Sequence, residues 1–141
     1  MKKVFVDSDV ILDFLLDREP FINEITELIK GSVNNIISLY VSSITVTNLN
    51  YIIGRIENRR SADAKTKKIL KLVKVENVGQ TTIDKAIASK FKDFEDGVQN
   101  FCAEEANHKI IITRNTKDYK ESKLAIMTPR EFLASVNEAW Y

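Results

Sequence analysis

Two short runs, KVFVD at residues 3–7 and KIIIT at residues 109–113, each hold three consecutive apolar residues between a lysine and a polar end. Continuous apolar strands of this kind are buried on both faces, unlike the alternating strands of half-exposed sheets. Burial on both faces requires covering layers, and the intervening sequence supplies them as helices. Residues 10–16 continue KVFVD as a helical turn or two, and Pro20 opens a second helix, FINEITELIK, with Gly31 as its stop. ISLYVSS (37–43) reads as a strand, and Thr45 as the cap of a helix whose Leu49, Ile52, Ile53 and Ile56 fall at helical spacing. A basic helix over 62–73, a weak strand over 75–78 and a helix TIDKAIASKF capped by Thr81 or Thr82 come next. DFEDGVQNFCAEEAN gathers Val98, Phe101, Cys102 and Ala106 on one apolar face; LAIMT (124–128) is a short strand, and Pro129 opens the last helix, REFLASVNEAW. Strands separated by helices predict an α/β fold: a central, mainly parallel sheet covered on both faces, with right-handed crossovers.

At 141 residues, 44% hydrophobic and 29% charged, residues 1–141 have the size and composition of one domain with a real core. MKKVFVDSD meets acids after only three apolar residues, and no uncharged window approaches membrane-spanning length, so a soluble, cytoplasmic protein with no membrane partner is expected. A single cysteine, Cys102, excludes an internal disulfide framework, and a single histidine, His108, excludes histidine-rich zinc sites and paired-histidine mechanisms. Any catalysis falls to carboxylates. Seven acids lie within residues 1–27, and eight bases within 55–74, an uneven distribution that suits a metal site beside a track for a polyanion. The plainer reading of that basic stretch is a solvated helix face.

Ligands of open parallel sheets bind beyond the carboxyl ends of the strands. Asp7 stands at such an end, and SSITVTN, DFED and TRNTKD reach the same edge. Taken singly, each has a modest explanation: Asp9, Glu95 and Asp96 as helix-start acids, Asn115 and Asp118 as turn formers, Cys102 as core packing, His108 as a loop residue with a satisfied ring. Asp7 is the exception, since it follows a buried strand while three polar edges converge on it. Carboxylates crowded together repel unless a cation or raised pKa values relieve them, and a divalent cation is the economical solution.

These stretches together resemble the PIN domain family, the nuclease fold of VapC-type toxins. VDSDVILDFLLDREPF is similar to its first motif, SSITVTNLNYIIGR to the second, DFEDGVQNFCAEEAN to the third and IITRNTKDY to the fourth, in the right order over nearly the whole chain. The resemblance implies a three-layer α/β/α domain and a metal-dependent endoribonuclease, the toxin of a type II toxin–antitoxin pair. It makes Asp7, Asp96 and Asp118 the catalytic, metal-holding carboxylates, with Mg2+ or Mn2+ as cofactor and Asn48, Thr113 and Asn115 in support. It also implies an RNA substrate, a cognate antitoxin and, as is common in the family, a homodimer. Arg55, Arg59, Arg60, Lys67 and Lys68 are the candidate RNA-backbone contacts. Where the family's second motif usually carries an acid, this chain has Asn48, whose amide oxygen can ligate a metal but adds no charge; Glu95, Asp93 and Asp9 are the acids placed to compensate. Two other readings stand beside this one. A catalytically degenerate PIN module would bind RNA or protein without cutting, and a haloacid-dehalogenase-like phosphatase would use Asp7 as nucleophile and Asp9 as acid/base, although Val10 stands where such enzymes usually have Gly.

Overall fold

The computed structural model describes the backbone of residues 2–140 and the side chains of residues 2–136. In chain order the elements are β1 (Lys2–Val6), α1 (Ser8–Leu15), α2 (Ile22–Val33), β2 (Ile37–Ser42), α3 (Ser43–Ile56), α4 (Arg59–Leu70), β3 (Lys74–Glu76), α5 (Gln80–Ala88), α6 (Phe94–Glu105), β4 (Ile110–Ile112), a single 3-10 turn (Thr116–Tyr119), β5 (Ala125–Met127) and α7 (Pro129–Trp140). The strands form one sheet in the order β3-β2-β1-β4-β5, and every pairing is parallel. The expected α/β/α architecture is therefore present, with a sheet that is wholly rather than mainly parallel. Among the described residues no helix is long and apolar enough to cross a membrane.

The two apolar runs that announce the sheet also divide its core. Successive side chains of a strand point to opposite faces. Val4 and Val6 of β1, with Ile110 and Ile112 of β4, join the larger core built with α1, α2, α3 and α7. Phe5 and Ile111 point the other way, to a smaller core with Cys102 and Ala103 of α6 and Tyr119. Cys102 is packed as expected, and burial, reinforced by the charges of Glu76 and Glu105, pushes its thiol up to about 12.

Several helix ends differ from the sequence reading. Gly31 does not stop α2, which continues to Val33; Asn35 at φ 59° makes the left-handed turn that ends it. The cap of α3 is Ser42, whose hydroxyl accepts from the Thr45 amide at 3.0 Å, so Thr45 is left for another task. α4 spans Arg59–Leu70 rather than 62–73 because Asn58 caps it through the Ser61 amide at 2.8 Å. β3 is Lys74–Glu76 rather than 75–78, and α5 begins after Gly79, whose N–H donates to Thr82 Oγ1 at 3.3 Å. His108 is not a satisfied loop residue: it is 2% exposed, packed on Phe5 and Tyr40, and its closest acid oxygen, on Glu76, is 3.4 Å away. Burial lowers its pKa.

Ile111 is fully buried in the central pairing of β4 with β1. Ile111→Ala is expected to lower the unfolding free energy by about 2–5 kcal/mol, measured by urea denaturation with an unchanged m-value.

Candidate active site

The strand order turns back between β1 and β4, the kind of point where open parallel sheets leave a crevice. The register fixes what stands there. Val6 pairs with Ile112, and Phe5 with Tyr40, so one or two residues further on Asp7, Thr113 and Ser42 lie in a row across three strand ends. Pleating puts all three on the Phe5 face, toward α6. The Asp7 N–H keeps the sheet pattern by donating to the Ile112 carbonyl at 2.9 Å, while its extended backbone caps α1.

Asp7 is 6% exposed. Its Oδ1 accepts from the Ser8 amide at 2.7 Å and from Gln99 Nε2 at 3.3 Å; its Oδ2 accepts from Thr113 Oγ1 at 2.9 Å and from the Tyr119 hydroxyl at 3.0 Å. Gln99 also donates to Thr45 Oγ1 at 2.7 Å and accepts from Ser42 Oγ at 2.5 Å, which ties β2 and α3 to the same carboxylate. Burial and then the charges of Asp7 and Asp96 push the Tyr119 phenol further above its ordinary value, so it remains a donor. Gln99 and Tyr119 were not expected from the sequence. Gln99 was legible only as the residue one helical turn after Asp96, and Tyr119 as the neighbour of Asp118.

The other acids surround this centre. Asp93 caps α6 by accepting from the Asp96 amide at 3.0 Å, which aims the first turn of that helix at the crevice. Burial, then the charges of Asp7, Asp93, Asp118 and Glu95, raise the Asp96 carboxyl to about 7. Asp9 is raised to about 7 as well, by burial and then by Asp7, against the opposing pull of Arg114. Asp9 Oδ2 accepts from the Arg114 amide at 3.3 Å and Asn115 Nδ2 at 3.0 Å, while its Oδ1 is buried without a partner. Asn115 therefore supports Asp9 rather than Asp7. Asp118 is exposed on the 3-10 turn. Asn48 donates from Nδ2 to Glu95 Oε1 at 2.9 Å, so the amide at the second motif brings a carboxylate with it.

A cleft of about 440 Å³ opens on Asp93, Asp96 and Asp118 and is rimmed by Lys90, Lys92, Lys117 and Lys120. None of these lysines is within ion-pair distance of an acid among the described residues. The basic residues expected to contact RNA lie elsewhere: Arg55 over the Tyr51 ring, Arg59 4.0 Å from Asp63, Arg60 on the first turn of α4, Lys68 over the Phe14 ring and Lys67 beside it in sequence. None of them lines the cleft.

With this geometry in place, the profile of the PIN domain family matches residues 3–117. The chain belongs to the PIN domain family. Ribonuclease VapC1 of Aquifex aeolicus (strain VF5) is 26% identical over 136 residues, covering 93% of each chain. A toxin–antitoxin complex from Klebsiella pneumoniae superposes with a TM-score of 0.66 at 18% identity, over 89% of this chain and 97% of that one. DNA-bound VapBC from Salmonella typhimurium gives 0.69 at 14% identity, over 92% and 99%. At such identities the likeness of the two structures is one of fold. The family match ends one residue before Asp118, whose placement rests on the TRNTKD stretch itself.

The donor set suits a hard cation. It is all oxygen, it holds a buried unpartnered carboxylate oxygen on Asp9, and it contains two carboxyls raised to about 7 by burial first and by neighbouring negative charge second. No group of three or more Asp, Glu, His or Cys side chains is arranged to enclose an ion among the described residues. Magnesium is a hard cation that takes one or two carboxylates and keeps several waters. Between about pH 4 and about pH 7 the unfolded chain has released protons that folded Asp9 and Asp96 still bind, so their contribution to stability declines as pH rises through that window. His108, lowered by burial, contributes the opposite slope in wild type and variant alike. The melting temperature of Asp96→Asn should therefore gain on that of wild type as pH rises from about 5 to about 7.5. Millimolar magnesium should raise the wild-type melting temperature more at the upper pH than at the lower.

Proposed function

We propose that this chain is a metal-dependent endoribonuclease and the toxin half of a type II toxin–antitoxin pair. The observation that carries the reading is Asp96, which lines a lysine-rimmed cleft and whose carboxyl is brought to about 7 by burial and by four neighbouring acids. A site built to assemble negative charge beside unpaired ammonium groups suits a cation and a phosphodiester together. Family membership and a relative named a ribonuclease support the activity; a structural relative described as a toxin–antitoxin complex supports the role and an antitoxin partner.

Asp7 and Asp96 would hold Mg2+ or Mn2+, and the bound ion would neutralise charge building on the phosphoryl oxygens during hydrolysis. Asp7 is kept in place for this by Gln99, Thr113 and Tyr119, whose hydrogen bonds leave its carboxylate little freedom to rotate. Asp118, exposed at the cleft wall, orients the attacking water and accepts its proton. Asn48 holds Glu95 where its charge acts on Asp96, which returns to this motif the negative charge that the amide lacks. Lys90, Lys92, Lys117 and Lys120 bind the phosphates flanking the cut, and the α3–α4 bases act further out along the strand.

The phosphatase reading fares poorly. Family membership weighs against it, since the matching profile over residues 3–117 is that of PIN domains, and Val10 stands where such phosphatases usually have Gly.

Purified protein is expected to cut a mixed RNA pool with magnesium or manganese, and to stop with chelator. Asp96→Asn and Asp7→Asn should each lose about a hundredfold or more in rate. Asp96→Asn is the cleaner variant, because an amide at position 7 turns an N–H toward donors already buried around it. Wild type that binds RNA but stays inert with every metal would transfer the chain to the degenerate, non-cutting reading. Paired Lys117→Gln and Lys120→Gln should weaken RNA binding more than paired Lys67→Gln and Lys68→Gln, and should flatten its salt dependence, in filter-binding titrations.

A further inference from the structure

A second pocket, of about 300 Å³, shares Arg114 with the acidic site and includes Pro20, Phe21, Glu24, Pro129 and Arg130 in its lining. Arg114 faces both ways: its backbone N–H donates to Asp9, and its side chain forms a wall of the pocket. That side chain is fixed with unusual force. Asp13, 1% exposed, accepts from Arg114 Nε at 2.6 Å and from Nη2 at 3.3 Å, and the guanidinium lies 4.2 Å from the centre of the Phe21 ring. Burying a carboxylate under a guanidinium is a poor device for stability, since desolvation offsets most of the attraction. What the arrangement secures is the direction of the guanidinium. Two of its five N–H groups go to Asp13, and the remaining three have no partner among the described residues.

The lining also holds an acid and a second base, Glu24 and Arg130. Glu24 accepts from Arg130 Nε at 3.1 Å through Oε1, while its Oε2 has no hydrogen bond among the described residues. The pocket thus offers apolar walls from Pro20, Phe21 and Pro129, a fixed cluster of donors, and a carboxylate. Guanine alone among the four RNA bases presents two adjacent acceptors, O6 and N7, next to two adjacent donors, N1–H and N2–H. Single-stranded RNA is read in this way, by unstacked bases placed against aromatic surfaces and hydrogen-bonded along their edges.

We propose that this pocket takes one guanine base of the RNA substrate, its O6/N7 edge on Arg114 and its N1/N2 edge on Glu24. The inference rests on the ribonuclease reading and adds a base preference to it. Because Arg114 also binds Asp9 through its backbone, the selected base lies next to the reacting phosphate, and the preference is read close to the cut.

The test uses the inactive Asp96→Asn protein and fluorescence anisotropy with short labelled oligouridylates carrying one central guanosine, adenosine, cytidine or no substitution. The guanosine strand is expected to bind about tenfold more tightly, within the range of a bidentate base contact. Glu24→Gln in the same background should remove most of that preference while keeping the hydrogen bond to Arg130, and Phe21→Ala should weaken the guanosine strand selectively; melting curves check that both variants fold. Equal binding of all four strands, or a preference that survives both substitutions, overturns the assignment and leaves the pocket to a protein partner, with the nuclease reading intact. If wild type shows no Asp96-dependent cutting, the nuclease reading fails separately. The pocket is then decided by titrating guanosine monophosphate against wild type. Saturable shifts of the Phe21 ring resonances, absent with adenosine monophosphate, support it, and their absence overturns it.

Discussion

Hydrogen-bond donors from four residues meet on one buried carboxylate, Asp7, and the arrangement of the chain around the switch point depends on their doing so. A carboxylate sunk at the end of a central strand would be costly on its own. Here the cost is met by groups from α1, α6, the end of β4 and the 3-10 turn. The sheet register brings Thr113 alongside, the helix dipole and amide of α1 face the charge, and α6 and the turn supply Gln99 and Tyr119. The same contact that offsets desolvation also orders the two side chains through which β2 and the last parallel strands communicate with the crevice.

That arrangement sorts the acids by environment. Asp7 is held in place by donors from four residues. Asp96 and Asp9 are raised to about 7 by burial first and by neighbouring acids second. Asp118 and Glu95 stand in contact with solvent. One fold thereby places a fixed carboxylate, two carboxyls raised to about 7 and solvent-exposed outer acids near one set of strand ends, a spread of environments for groups of one chemical kind.

Much of this was legible in the sequence. KVFVD and KIIIT could only be strands buried on both faces, and the helical periodicity between them left little choice but a parallel sheet. The convergence of four polar edges followed from that topology. What the sequence concealed depended on packing. Gly31 looks like a stop but sits in a buried stretch of helix, and the chain turns at Asn35 instead. Ser42 and Thr45 are equally good caps by chemistry; only the strand register, which ends β2 at Ser42, decides between them. Gln99 and Tyr119 belong to faces that read as apolar core, and their partner is about a hundred residues away, so no local pattern reveals them. The lysines of the cleft were overshadowed by the denser basic run at 55–74, which folds onto a separate helical hairpin.

The contrast between positions 7 and 48 sets how such a site can fall silent. Asp7 is tied to the ends of β1 and β4 and, through Gln99, to that of β2, so altering it disturbs the sheet. Asn48 lies partly exposed on a helix and touches the centre through Glu95 alone among the described residues. A change at position 48 therefore alters one surface contact, that to Glu95, and leaves the sheet as it is. In a scaffold of this kind, the route from an enzyme to a mute binding protein, and back again, therefore runs through the second motif while the first is held by the demands of folding.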